Sequence, residues 1–132
     1  MLRKVLLVVL ATVVSHLLAA LSGYVLYQLS TGLSEANLGV MARYTAGPLI
    51  AILTGSLVGF LSKDHPVPTS MVGLAPLWVL NLFSPNKPTW ASLVSGFTYI
   101  ALGGIAALFA FRLRRRLEFV KRSDVGRGVT TP

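Results

Sequence analysis

The amino-acid sequence predicts an all-α integral membrane protein: a four-helix transmembrane bundle with both termini on one side and a short third helix kinked at Pro76. Three observations carry that reading. Hydrophobic residues make up 54% of the 132-residue chain and charged residues only 12%, well below the roughly 25% of a water-facing domain. Four apolar runs follow one another with polar joints between them. The cations are also distributed so that four crossings put nearly all of them on one side.

The first run is Val5 to Leu29, VLLVVLATVVSHLLAALSGYVLYQL. The second is clearest from Tyr44 to Ser62 and has an alternative start near Ala36, where Ser34 stands as a cap ahead of Glu35. The third runs from about Thr69 to Phe83 and the fourth from Thr89 to Phe111. A helix crosses about 30 Å of hydrocarbon with roughly 20 residues, which runs one, two and four supply. Run three reaches that length only by drawing in flanking residues, over 67–84. Pro76 removes a backbone donor there and bends the helix near Gly73; a re-entrant segment is the alternative. The expected spans are therefore 5–29, 44–62, 67–84 and 89–111, in a domain of residues 1–112. Residues 113–132 form a basic cytoplasmic tail, disordered from Ser123.

Charge sets the orientation. With the N-terminus inside, Arg3, Lys4, Lys63 and the seven cations from Arg112 to Arg127 are cytoplasmic, leaving Arg43 and Lys87 outside. Tyr24, Tyr27, Tyr44 and Trp90 then fall at the outer boundary, where amphipathic rings sit. Arg3 and Lys4 also make the n-region of a signal peptide cleaved near Ser22. The apolar run continues through Tyr27, however, beyond the ordinary signal h-region of about 7–15 residues.

Small residues recur on helical faces. Gly47, Ala51, Gly55 and Gly59 stand at every fourth position and form one groove for a neighbouring helix of the chain, with a second protomer as the alternative and a substrate the least favoured occupant. Lipid gives apolar faces no reason to meet, so close packing at small residues and interhelical hydrogen bonds must join helices. The first run offers Thr12, Ser15, His16, Ala19, Ser22 and Gly23 on one face, opposite Leu10, Val14, Leu17, Leu18, Leu21 and Val25. The third offers a weaker set, Ser70, Gly73 and Asn81. The fourth offers Ser92, Ser95, Gly96, Tyr99, Gly103, Ala106, Ala107 and Ala110, across from Phe97, Ile105 and Leu108.

His16 is the midmembrane polar candidate, as a proton relay or ligand contact, or as an imidazole bonded to Ser or Tyr on a neighbouring helix. Asp64 and His65 pair at the turn after the second run and suit helix capping better than acid–base work. The chain lacks cysteine, metal-ligand spacing, a nucleophile elbow and paired carboxylates, so neither an enzyme nor a cofactor is expected. Arg112, Arg114, Arg115, Arg116, Lys121 and Arg122 form a cluster expected to meet anionic headgroups rather than nucleic acid.

The span number and size resemble those of small multidrug transporters, which rely on a glutamate within the first span. This chain has Thr12, Ser15 and His16 there, so the resemblance ends at size and topology. The function expected is a non-enzymatic structural or accessory subunit of a membrane assembly, in a bacterial inner membrane. A homodimer or larger homo-oligomer working as a transporter or channel is the alternative.

Overall fold

The computed structural model describes residues 2–29, 45–82 and 90–127. Within them the chain forms four helices and no strand: α1 (Leu2–Leu29), α2 (Gly47–Leu61), α3 (Pro66–Leu82) and α4 (Trp90–Arg127). The features expected at Ser34, Glu35, Arg43, Tyr44 and Lys87 lie outside the described residues, as do the side chains of Asn81, Ser92, Lys121 and Arg122.

The helices differ in reach. At about 1.5 Å per residue, the 28 residues of α1 and 38 of α4 make rods of about 42 and 57 Å. The 15 residues of α2 and 17 of α3 make about 22 and 26 Å at the same rise. Two helices are long and apolar enough to cross a membrane, over Leu2–Gln28 and Leu93–Val120. α2, expected over 44–62, is described as regular helix only from Gly47, after a wider turn at Thr45 and Ala46.

α4 runs past its expected end. No Gly or Pro occurs between Gly104 and Gly126, and Arg, Leu, Glu and Lys are good helix formers. An Arg114–Glu118 pair at 2.7 Å adds i,i+4 support. Helix therefore continues through the basic segment to Arg127, and residues 123–127, expected to be disordered, are part of it.

A tight turn joins α2 to α3. Ser62 leaves the helix in extended conformation, and its N–H still reaches Val58 O at 2.8 Å. His65 has a φ of 52°, in the left-handed region that Asn, Asp and His enter more readily than other side chains. Pro66 then opens α3, where its missing N–H leaves nothing unsatisfied. Pro76 lies within α3 and the helical run is unbroken across it.

Neighbouring helices alternate in direction. α2 and α4 run parallel and share the most extensive contact; α1 and α3 run parallel to each other in the opposite sense. α2 and α3 both touch the other three helices, while α1 and α4 take opposite corners and barely meet.

The side chains are sorted inside out relative to a water-soluble domain. Ala11, Ser15, Ala51, Thr54, Val58, Ser70 and Ala107 are almost completely buried. Large apolar groups face outward: Leu17 is 64% exposed, Leu49 59%, Phe97 63% and Phe109 69%. On α1 the expected face holds at Ser15, which is buried, and at Thr12, His16, Ala19 and Ser22, which are half-buried, while Leu17, Leu21 and Val25 are exposed. The packing face is rotated from it toward Leu7 and Ala11. Its buried line is Leu7, Ala11 and Ser15, Leu10, Val14 and Leu18 are half-buried, and Gly23 is exposed with nothing within 4 Å of an added Cβ. The reason is Ala11, whose small side chain seats directly against Gly73 of α3 and sets the rotation of the helix.

Candidate functional site

The groove of α2 is filled by α4. A Cβ added to Gly55 would overlap the carbonyl of Gly103, and one added to Gly59 would overlap that of Ala107. At Gly47 the same atom would come 2.6 Å from the Tyr99 ring. Ala51 is buried, and its carbonyl oxygen lies 3.2 Å from where a Cβ of Gly103 would stand. Backbone therefore meets backbone along this seam, because only a missing side chain allows so close an approach.

The other side of α4 receives α3. The Trp78 indole covers Gly96, Leu74 fills the space beside Gly103, and Val67 and Met71 flank Gly104. Trp78 also lies against Phe97, with ring centroids 4.9 Å apart. Gly104 was not among the small residues expected on this face; its place after Gly103 puts it on the α3 side of the same helix.

His16 does not reach a neighbouring helix with the nitrogen the structure pairs. Its Nδ1 lies 2.7 Å from Thr12 O, so the Nδ1–H tautomer donates back to its own helix. Ser15 Oγ donates to that same carbonyl at 2.9 Å. The expected Ser or Tyr partner on another helix is replaced by the i−4 carbonyl, the acceptor nearest a side chain in mid-helix. An interhelical bond comes instead from Thr12, whose hydroxyl shares its proton between Val8 O at 3.0 Å and Gly73 O at 3.1 Å. Gly73 precedes Pro76 by three residues, within the turn that the proline loosens.

Three buried polar atoms lack a protein partner among the described residues: Thr54 Oγ1, Ser70 Oγ and Trp78 Nε1. Ser70 lies on the face of α3 turned to Gly103. No group of three His, Asp or Glu residues that could hold a metal ion occurs among the described residues.

At the basic end the side chains divide into two kinds. Arg114 turns inward: its Nη1 donates to Phe60 O at 2.8 Å and Ser62 O at 3.3 Å, while its Nε donates to Glu118. Arg3, from the first turn of α1, donates through Nη2 to Leu61 O at 3.1 Å. These carbonyls belong to the last turn of α2, where a helix leaves its acceptors unpaired and carries partial negative charge. Two guanidinium groups, one from each corner helix, thus close the end of α2. Arg112, Arg115 and Arg116 are exposed, and Arg115 stacks over Phe111 at 4.6 Å.

Neither contact was foreseen from the sequence, where Arg3 serves as an orienting charge and Arg114 as one of the cluster expected to meet anionic headgroups. The signal was helical phase. Arg114 stands seven residues after Ala107 and eleven after Gly103, the spacing that continues the packed face of α4.

Asp64 and His65 do not act through their side chains in the bonds the structure records. Ser62 Oγ donates to Asp64 O at 2.6 Å, and Thr69 Oγ1 to His65 O at 2.9 Å, so backbone carbonyls anchor the turn and both residues are exposed. No family description, curated protein or solved structure matches this chain.

Proposed function

We propose that this chain is a four-span integral membrane protein, with both termini on the cytoplasmic side of a bacterial inner membrane, serving as a non-enzymatic structural or accessory subunit of a larger assembly. The observation that carries the reading is the inside-out sorting of side chains. Gly, Ala, Ser and Thr supply the closest helix contacts, with Leu7, Ile50, Val58 and Leu74 buried beside them, while many Leu, Val and Phe side chains face outward, the arrangement that lipid favours and water opposes. Orientation draws support from Arg3, Lys63 and Arg114, which share one end, and from exposed Tyr24, Tyr27 and Trp90 on the opposite half.

An accessory role fits the closed seam between α2 and α4, which leaves no lumen between those two helices. A homo-oligomeric transporter would have to join its copies elsewhere, because the groove of Gly47, Ala51, Gly55 and Gly59 is occupied within one chain.

The native sequence has no cysteine, so single introduced thiols report topology without background. Lys4→Cys and Ser123→Cys should label only from the cytoplasmic side, and Thr31→Cys and Asn86→Cys only from the other. Labelling of the two ends from opposite sides would overturn the topology. Tagged protein extracted in mild detergent should carry a larger membrane protein in fixed stoichiometry. Migration as a lone oligomer that conducts ions or organic cations in liposomes would overturn the accessory role.

A further inference from the structure

The end of α2 is unusual in what closes it. Its last carbonyls are met from two flanks, by Arg3 of α1 and Arg114 of α4, although those helices barely meet each other. Neutral carbonyls and Glu118, itself half exposed, are the partners of these two cations. Among the described residues Arg3 uses one of its five N–H donors. Lys63 and Asp64 follow in the exposed turn, so Arg3, Arg114 and Lys63 stand beside the two carboxylates of Asp64 and Glu118. Positive charge therefore exceeds negative at this point, with guanidinium donors to spare.

Directly before it, the outer face of α2 is apolar and open. Leu53, Leu57, Phe60 and Leu61 are each more than a third exposed, with α1 and α4 on either side. A long apolar face ending in paired arginines matches a molecule with an acyl chain and an anionic phosphate. Arginine suits the phosphate because its planar fork binds two oxygens at once.

We propose that the outer face of α2, between α1 and α4, holds one anionic phospholipid whose phosphate is bridged by Arg3 and Arg114. This rests on the membrane reading above and sharpens its lipid partner: the site is a defined pair, one member of which lies outside the C-terminal cluster. The phospholipid then ties the two corner helices together at the end where protein contacts leave them apart.

Native mass spectrometry and vesicle flotation test it, with phosphatidylglycerol and phosphatidylcholine as probes. The wild-type chain should retain phosphatidylglycerol selectively. Each headgroup-facing arginine contributes about 1 kcal/mol, or about fivefold in affinity, so Arg3→Gln with Arg114→Gln should lower that selectivity about thirtyfold. Glutamine keeps an N–H donor for the α2 carbonyls while removing the charge. Arg115→Gln with Arg116→Gln makes the same change of charge and should lower it by less than the first pair does, because both pairs share the diffuse attraction and only Arg3 and Arg114 add the bridged phosphate.

Equal losses from the two pairs would mean diffuse attraction to the cluster and overturn the site. Arg3→Gln alone, which alters one exposed side chain, gives the fivefold reading should the double variant unfold. Inorganic phosphate at millimolar concentration should not displace the lipid; displacement would assign the site to a free anion instead. Failure to insert into phosphatidylcholine vesicles would sink the membrane reading, whereas insertion without preference for phosphatidylglycerol would sink only this site.

Discussion

Where α2 meets α4, backbone lies against backbone: Gly55 faces Gly103 and Gly59 faces Ala107, and the nearby Thr54 hydroxyl is buried without a partner. Where α1 meets α3, the contact is a side chain against a glycine, Ala11 on Gly73, with a hydrogen bond from Thr12 to Gly73 O beside it. Both pairs run parallel and both use small residues, yet they rely on different members of the short list of forces that join helices in lipid. Along Gly55 and Gly59 the first seam depends on shape, with the Arg114 bonds to Phe60 O and Ser62 O standing at its end. The other adds a polar clasp to looser packing. The difference teaches that a glycine is replaceable only to the extent that its neighbour can yield.

The largest effect should come from the first seam. Gly55→Ala directs a methyl group into the Gly103 carbonyl, and Gly59→Ala does the same at Ala107. A backbone cannot move aside without separating the helices, so each change should lower stability in detergent by about 3 kcal/mol, at the upper end of ordinary overpacking. Truncation on α4 offers no rescue for Gly55→Ala, because residue 103 is already glycine. Gly23→Ala is the matched control: its Cβ meets nothing within 4 Å, and stability should hold or rise slightly with helix propensity. An unfolding titration in which Gly55→Ala behaved like Gly23→Ala would break the comparison at its stronger end.

Gly73→Ala should cost less, about 1–2 kcal/mol, and it should be reversible. The obstacle is the Cβ of Ala11, so Ala11→Gly in the same chain should recover most of the loss. A double-mutant cycle measures that recovery as a coupling energy. Simple addition of the two losses would mean that Ala11 and Gly73 are not the contact that sets the rotation of α1.

These seams also mark where reading the sequence stops. The helical class and the apolar runs of α1 and α4 follow from composition and length. The spacing of Gly47, Ala51, Gly55 and Gly59 is equally plain in the sequence, but spacing names a groove and not its occupant. The face of α1 was harder, because Ala11 stands among Val and Leu and helical spacing favours Gly23 just as well; only the partner Gly73 decides between them. Arg114 was read by its charge, whereas its role follows from its phase with Gly103 and Ala107. Sequence periodicity thus says which residues share a face. Which face is used depends on the helix opposite, and that information is tertiary.

The smallest effects bear on the clasp itself. Thr12→Val removes the hydroxyl that reaches Gly73 O while keeping the shape of the side chain. In a membrane such bonds average about 0.6 kcal/mol, because an unassembled helix lets the same hydroxyl bond elsewhere. Here the alternative is visible, since the Thr12 proton already lies within reach of Val8 O on its own helix, and the loss should be no larger than that average. Thr54→Val makes the identical chemical change at a more deeply buried site, where the hydroxyl has no partner among the described residues to lose. It should cause no loss of stability, and a gain is consistent with the removal of an unsatisfied buried donor. The two threonines therefore ask one question with opposite expected signs. Should Thr54→Val destabilise as much as Thr12→Val, the middle of the α2–α4 seam would hold a polar contact besides the one at its Arg114 end, and the division between shape and clasp would not stand.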